Sequence, residues 1–184
     1  MNRRYFLLSA AAAPVAAQTP PAPVRAAMIG TGNRGQFVLR GVLEQPGVAV
    51  TAVCDLKPDR LDQAATIAGR DKPAALRDWR ELLARKDVDA VFIASPCDLH
   101  VEMAIAALKA GKHVYCEKPA GITPESIAEL VRVARQSKTV FQIGQQMRSF
   151  TRLRRTIERI HEGVVGKIVM VKAQRHAGND LAHD

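Results

Sequence analysis

Apolar positions along the chain follow two rhythms that alternate. Short, nearly unbroken apolar runs at Val24–Ile29, Val48–Cys54, Val88–Ala94, His113–Cys116 and Val140–Ile143 read as strands buried on both faces. Between them the apolar residues recur at helical spacing. Val101, Ala104, Ile105 and Leu108 occupy the i, i+3, i+4, i+7 positions of one helix, which Gly111 ends as a left-handed cap. Ile127, Leu130, Val131 and Ala134 are the expected buried stripe of another, opened by Thr123 as N-cap and Pro124 at the first helical position. Pro58 suits the first turn of a further helix, and Arg77–Leu83 predicts a short one in which Trp79 packs. Strands alternating with helices from Val24 to Gly144 predict an α/β fold, a doubly wound parallel sheet with helices on both faces. After Arg148 the pattern gives one helix, Ser149–Glu162, and one strand-like segment, Lys167–Gln174.

Between the first strand and the first helix stands Gly30-Thr31-Gly32-Asn33-Arg34-Gly35, a G-x-G-x-x-G sequence in the strand–turn–helix context that a dinucleotide-binding loop requires. Each glycine has its own reason. Gly30 allows a sharp turn out of the strand, Gly32 lets backbone approach a pyrophosphate, and Gly35 lets the helix pack closely on the sheet. Free N–H groups and the positive dipole end at the helix start favour phosphate. Asp55 closes the second strand twenty positions beyond Gly35, and a carboxylate there accepts hydrogen bonds from the ribose hydroxyls. This favours NAD, with NADP as the alternative. Lys57 and Arg60 either reach the adenosine side of the cofactor or form the charged face of their helix. Ligands on such sheets sit at the carboxyl ends of the strands, where Ser95-Pro96 and Glu117-Lys118-Pro119 also fall.

Composition narrows the partners. Of 184 residues, 47% are apolar and 24% charged, as in a globular protein. The formal charge of +9 raises the question of nucleic acid, but aromatic content of 4% is too low for base-stacking platforms and no nucleic-acid motif is present. Arg148, Arg152, Arg154, Arg155 and Arg159 read as a solvated helix face. Cys54, Cys97 and Cys116 are expected to be buried free thiols, and no metal-binding pairing of Cys or His occurs. Residues 1–17 have the parts of an export signal: Arg3-Arg4, an apolar stretch from Tyr5 to Ala17 too short to span a bilayer, and small residues at Val15 and Ala17 before Gln18. The paired arginines resemble the twin-arginine signal, which implies a periplasmic or otherwise exported protein with no membrane span once the signal is removed. Gln18–Pro23, with three prolines, reads as an extended linker.

The glycine loop, Cys54-Asp55, Ser95-Pro96 through His100, Glu117-Lys118-Pro119 and the Gln142–Arg148 stretch together resemble the glucose–fructose oxidoreductase/inositol dehydrogenase (Gfo/Idh/MocA) family, from about Val24 onward. The resemblance implies an NAD(P)-binding Rossmann domain, here 24–146, then a second α/β domain that lines the substrate site and often mediates homo-oligomerisation, of which 147–184 is the start. It implies hydride transfer between a nicotinamide and a sugar or polyol hydroxyl. An NAD-dependent glycosidase of the same family is one alternative, and a nucleotide-binding piece without turnover is another. Within that resemblance Lys118 is the catalytic residue, a partly buried cation or base at the reacting hydroxyl. A surface lysine paired with Glu117 is the plainer possibility. Cofactor contacts carried over are Gly30, Thr31, Gly32, Asn33, Arg34, Gly35, Asp55, Ser95, Pro96, His100, Glu117, Lys118 and Pro119; His100 reads equally as a residue that merely sits at a helix start. The family's Asp-x-x-x-His pair is not present, since Asp180-Leu-Ala-His183 has the wrong spacing, and the chain is expected to be the N-terminal part of a longer enzyme.

Overall fold

Each of the five apolar runs supplies a strand to a single sheet in the computed structural model, which describes residues 22–174. The strands are β1 (Val24–Ile29), β2 (Val48–Cys54), β3 (Ala74–Leu76), β4 (Ala90–Ile93), β5 (His113–Glu117) and β6 (Phe141–Gly144). Only the three-residue β3 has no apolar run to announce it. All neighbours are parallel, in the order β3-β2-β1-β4-β5-β6. The chain therefore works outward from β1 and then returns to its other side at β4. The crevice at that reversal is where doubly wound sheets bind ligands. The export signal, most of the proline-rich linker and Asp180–His183 lie outside the described residues.

Five helices cover the sheet. Helices α1 (Asn33–Leu43) and α2 (Pro58–Ile67) bury Leu39, Val42, Leu61 and Ala64 against Ala26, Met28, Val50 and Val53. On the opposite face α3 (Trp79–Ala84), α4 (His100–Lys109) and α5 (Pro124–Gln136) pack on Ala27, Ile29, Ala52, Cys54 and Ile93. Strict alternation along β2 would not give this division. Ala26 pairs with Val50 but Ala27 with Ala52, so Thr51 is an extra, bulged residue, and its hydroxyl donates to Asp87 O at 2.8 Å. Val50 and Val53, three apart, thus share one face. Thr123 caps α5 by accepting from Ser126 N at 3.3 Å, and Gly111 has φ +72° after α4. Trp79 packs against the core, as expected.

Three expectations change. In α5 the buried residues are Leu130 and Val133, while Val131 is exposed. At 3.6 residues per turn Val131 stands about 100° round the helix from Leu130 and Val133 only about 60°. Cys54 and Cys116 are buried free thiols, but Cys97 is exposed, because it falls in a 3-10 turn (Cys97–Leu99) after Pro96 and not in a strand. Lys167–Gln174 forms no strand. A strand exists through its ladder, and this segment pairs with none among the described residues, leaving Val169 and Val171 exposed.

The chain divides into two compact units at Gly144/Gln145. In the second, α6 (Thr151–His161) keeps all its arginines exposed, and Arg159 donates to Glu162 at 2.7 Å. No helix among the described residues is long and apolar enough to cross a membrane.

Candidate functional site

Strands β1, β2, β4 and β5 end at one edge of the sheet, and the cofactor and catalytic residues expected from the sequence lie at those strand ends or on the segments that leave them. After β1 the three glycines do different work. Gly30 has φ +82°, and a Cβ there would lie 2.6 Å from Ala94 C and Ser95 N, so the glycine loop rests directly on the end of β4. A Cβ on Gly35 would overlap the carbonyl oxygen of Gly30. At Gly32, with φ −66°, a Cβ would meet only the guanidinium end of Arg60, 3.1 Å away. Two glycines therefore close the chain on itself, and the third leaves backbone open beside the unpaired first-turn N–H groups of α1. That open cradle fits a pyrophosphate.

Asp55, at the end of β2, holds this loop in place. Its Oδ2 accepts from Thr31 N at 2.7 Å and lies 3.1 Å from Thr31 Oγ1, while Oδ1 accepts from Lys57 N at 2.9 Å. Thr31 is completely buried. The Gln36 side-chain amide donates to Thr31 O at 3.1 Å. Lys57 and Arg60 are exposed beside this carboxylate, as is Asn33 in the loop itself.

Glu117 ends β5 and is only 3% exposed. Its Oε1 accepts from Arg34 Nη2 at 2.5 Å and from the Tyr115 hydroxyl at 3.1 Å, and its Oε2 from Lys118 N at 3.3 Å. Glu117 thus forms its ion pair with an arginine of the glycine loop and meets Lys118 only through its backbone N–H. The hydrogen bond to Glu117 raises the Arg34 guanidinium above its ordinary value. Burial, and then the Glu117 charge, push the Tyr115 phenol up. Gly144 also has a packing reason: a Cβ there would strike the Tyr115 hydroxyl and lie 3.1 Å from Glu117 Oε1. Burial pushes the thiols of Cys54 and Cys116, which flank the two acidic residues, up to about 12.

Lys118 is exposed, not partly buried, because it stands one residue past the last strand position on the open edge of the sheet. A cis peptide joins it to Pro119. His100 is 1% exposed, with Nδ1 2.7 Å from Pro119 O and Nε2 2.9 Å from Ser95 O. The structure brings together Gly30–Gly35 with Asp55, Arg34 with Glu117, and Ser95 with Pro119 through His100. Sequence reasoning passed over Tyr115, Gln36 and Gly144. Tyr115 was accessible to it, since residues i and i+2 of a strand share a face and Tyr115 stands two before Glu117.

The family described as "Oxidoreductase family, NAD-binding Rossmann fold" (GFO_IDH_MocA) matches residues 24–145. A glycosyl hydrolase family 109 protein of Saccharopolyspora erythraea is 38% identical over 154 residues, covering 79% of this chain and 33% of that protein. Myo-inositol 2-dehydrogenase from Lactobacillus plantarum superposes with a TM-score of 0.72 at 30% identity, over 80% of this chain and 43% of that one. Scyllo-inositol dehydrogenase from Lactobacillus casei, solved with NAD(H) and scyllo-inositol, gives 0.72 at 28% identity, over 78% and 42%. The chain spans about a third of the length of the curated relatives it matches.

Proposed function

The chain belongs to the Gfo/Idh/MocA oxidoreductase family, with its NAD-binding Rossmann fold, and from that premise we propose that it serves redox chemistry at a hydroxyl-bearing carbon of a sugar or polyol. One observation carries the reading: the cradle at Gly32, the Asp55 carboxylate and the Lys118 amine share one edge of the sheet, joined by Asp55–Thr31 and Glu117–Arg34 hydrogen bonds. When bound, the dinucleotide supplies a hydride acceptor or donor. The backbone at Gly32 and the first-turn N–H groups of α1 would hold its pyrophosphate. Asp55 would accept from its ribose with the lone pairs that Thr31 and Lys57 leave free. Lys118, exposed at the rim, is the group that holds or takes the proton of the substrate hydroxyl at Nζ.

Relatives named glycosyl hydrolase family 109 proteins favour a second reading. In it the same site brings about net hydrolysis of a glycosidic bond with no net change in the cofactor. Because the chain spans about a third of those relatives, a nucleotide-binding unit without turnover is the third. The paired arginines Arg3-Arg4 support an exported location.

The test begins with the purified chain. It is denatured and the supernatant assayed for released dinucleotide, and reduced nicotinamide is titrated into the refolded chain by fluorescence. A panel of sugars and nitrophenyl glycosides follows. Accumulation of reduced nicotinamide supports the dehydrogenase, nitrophenol release without it supports the glycosidase, and binding alone supports the inert unit. Failure to retain or bind any dinucleotide would defeat all three.

A further inference from the structure

We propose that His100 is a positioning residue for Lys118: its buried ring, seated at the start of α4 beside the loop after β4, donates from Nδ1 to Pro119 O in the loop after β5 and thereby sets where the Lys118 amine stands. The inference rests on the reading of Lys118 as the group that serves the substrate hydroxyl.

Burial of an imidazole is costly unless its nitrogens find partners. An apolar residue would fill the first position of α4 without that requirement. His100 instead meets two carbonyl oxygens, Ser95 O at 2.9 Å from Nε2 and Pro119 O at 2.7 Å from Nδ1. Neither carbonyl accepts from a backbone N–H among the described residues. The ring is therefore the polar partner of two loops that the sheet and helices leave unpaired. Carbonyl oxygens only accept, so a singly protonated ring donates to one of them and a ring protonated at both nitrogens donates to both.

The bridge has a fixed end. Ser95 N lies against Gly30 so closely that no Cβ fits between them, which seats the β4 loop on the glycine loop. At the other end, Pro119 is bonded directly to Lys118. On the preceding side Lys118 N donates to Glu117 Oε2, and Glu117 is held by Arg34. The Lys118 backbone is thus anchored before it through Glu117 and after it through His100, and both anchors lead back to the glycine loop. His100 is buried and both its ring nitrogens are taken up by backbone carbonyls, so it acts through Lys118 and not on a substrate.

The two ring contacts can be separated by substitution. The amide nitrogen of an asparagine stands near the position of Nδ1, and that of a glutamine near Nε2. His100→Asn keeps the donor to Pro119, and His100→Gln keeps the donor to Ser95. Amide hydrogen exchange in the nucleotide-free chain reads the anchor. Exchange at Lys118, whose N–H donates to Glu117 Oε2, should match the wild type in His100→Asn and run about tenfold faster in His100→Gln, the effect of losing roughly one net hydrogen bond. Exchange at Val53 and Val91 should stay unchanged in both. A second arm adds saturating NAD and follows reductive methylation of the Lys118 amine. NAD should shield it in the wild type and in His100→Asn but not in His100→Gln, at equal NAD affinity. Equal exchange at Lys118 in the two variants, or equal shielding, would overturn the proposal. Ring-nitrogen NMR of the wild type needs no variant: a slowly exchanging proton on Nδ1 is expected, and an unprotonated Nδ1 would overturn it too. If the wild-type chain binds no NAD, the cofactor reading fails, while the exchange comparison still decides His100.

Discussion

Arg34→Met removes the guanidinium that ties the glycine loop to β5 while keeping an aliphatic stem of similar reach. Glu117 is then left buried with two donors, the Tyr115 hydroxyl at 3.1 Å and Lys118 N at 3.3 Å, both long contacts for a carboxylate. Stripping one partner from a fully buried ion pair costs about 3–5 kcal/mol. Here the Arg34 side chain is 37% exposed against 4% for Glu117, so water screens the pair from one side and the expected loss falls to about 1–3 kcal/mol. The informative comparison is the double variant Arg34→Met/Glu117→Leu. It removes the stranded charge, so it should be at least as stable as Arg34→Met alone, even though Glu117→Leu by itself destabilises. Urea unfolding followed by fluorescence and circular dichroism measures all four corners, with an unchanged slope confirming that the same surface is exposed. An Arg34→Met loss below about 0.5 kcal/mol, within the usual error of additivity, would refute the argument. So would further destabilisation when Glu117→Leu is added to it.

The glycines should separate packing from ligand binding. Gly35→Ala forces a Cβ onto Gly30 O and should abolish cooperative unfolding, whereas Gly32→Ala meets only the mobile end of Arg60 and should fold normally yet bind NAD about tenfold or more weakly, as read by calorimetry. A thiol reagent should label Cys97 alone in the native chain and all three cysteines after denaturation. Burial holds Cys54 and Cys116 as thiols up to about pH 12, so rapid native labelling of either would contradict their placement. Asp89 is held at about 2 by hydrogen bonds from the Arg25 side chain and backbone N–H. A depressed carboxylate stabilises the fold above its ordinary value near about 4 and loses that contribution as pH falls toward about 2. Asp89→Asn should flatten the acid limb of the unfolding midpoint in that window, by a modest amount because both side chains are over a third exposed. In an active form of the enzyme, Lys118→Ala should lower kcat by about 10²–10⁴ with little change in NAD affinity; equal losses in both would remove Lys118 from the chemistry.

How much of this was legible in the residues depended on whether a local period carried the information. The strands at Val24–Ile29, Val48–Cys54 and Ala90–Ile93, and the edge that gathers Gly30, Asp55, Ser95 and Glu117, follow from apolar runs, turn chemistry and the topology rule for parallel sheets. The three-residue β3 has no period to read. The bulge at Thr51 breaks the alternation of β2, so the sharing of a face by Val50 and Val53 shows only in the register. Val131 was assigned to the core because an i, i+4 partner is as good a guess as an i, i+3 one until the centre of the packed face is known. The ion pair between Arg34 and Glu117 spans 83 positions, and nothing local in either motif announces the other. His100 was ambiguous for the same reason, because both its partners are backbone carbonyls, which any sequence possesses.

The carboxylate of Asp55 carries a consequence for how such a site can change over time. It accepts from Thr31 N, whose residue has no exposed surface, and from Lys57 N, so it is part of the loop's architecture before any nucleotide arrives. Exchanging Asp55 for a small neutral residue, the simplest route toward a cofactor bearing a 2′-phosphate, would leave the buried Thr31 N–H without its acceptor. Cofactor preference and loop integrity are therefore epistatic. A lineage, or a designer, that alters the first must supply a new acceptor for the second in the same step, and this makes the acidic residue harder to replace than its ribose contacts alone would suggest.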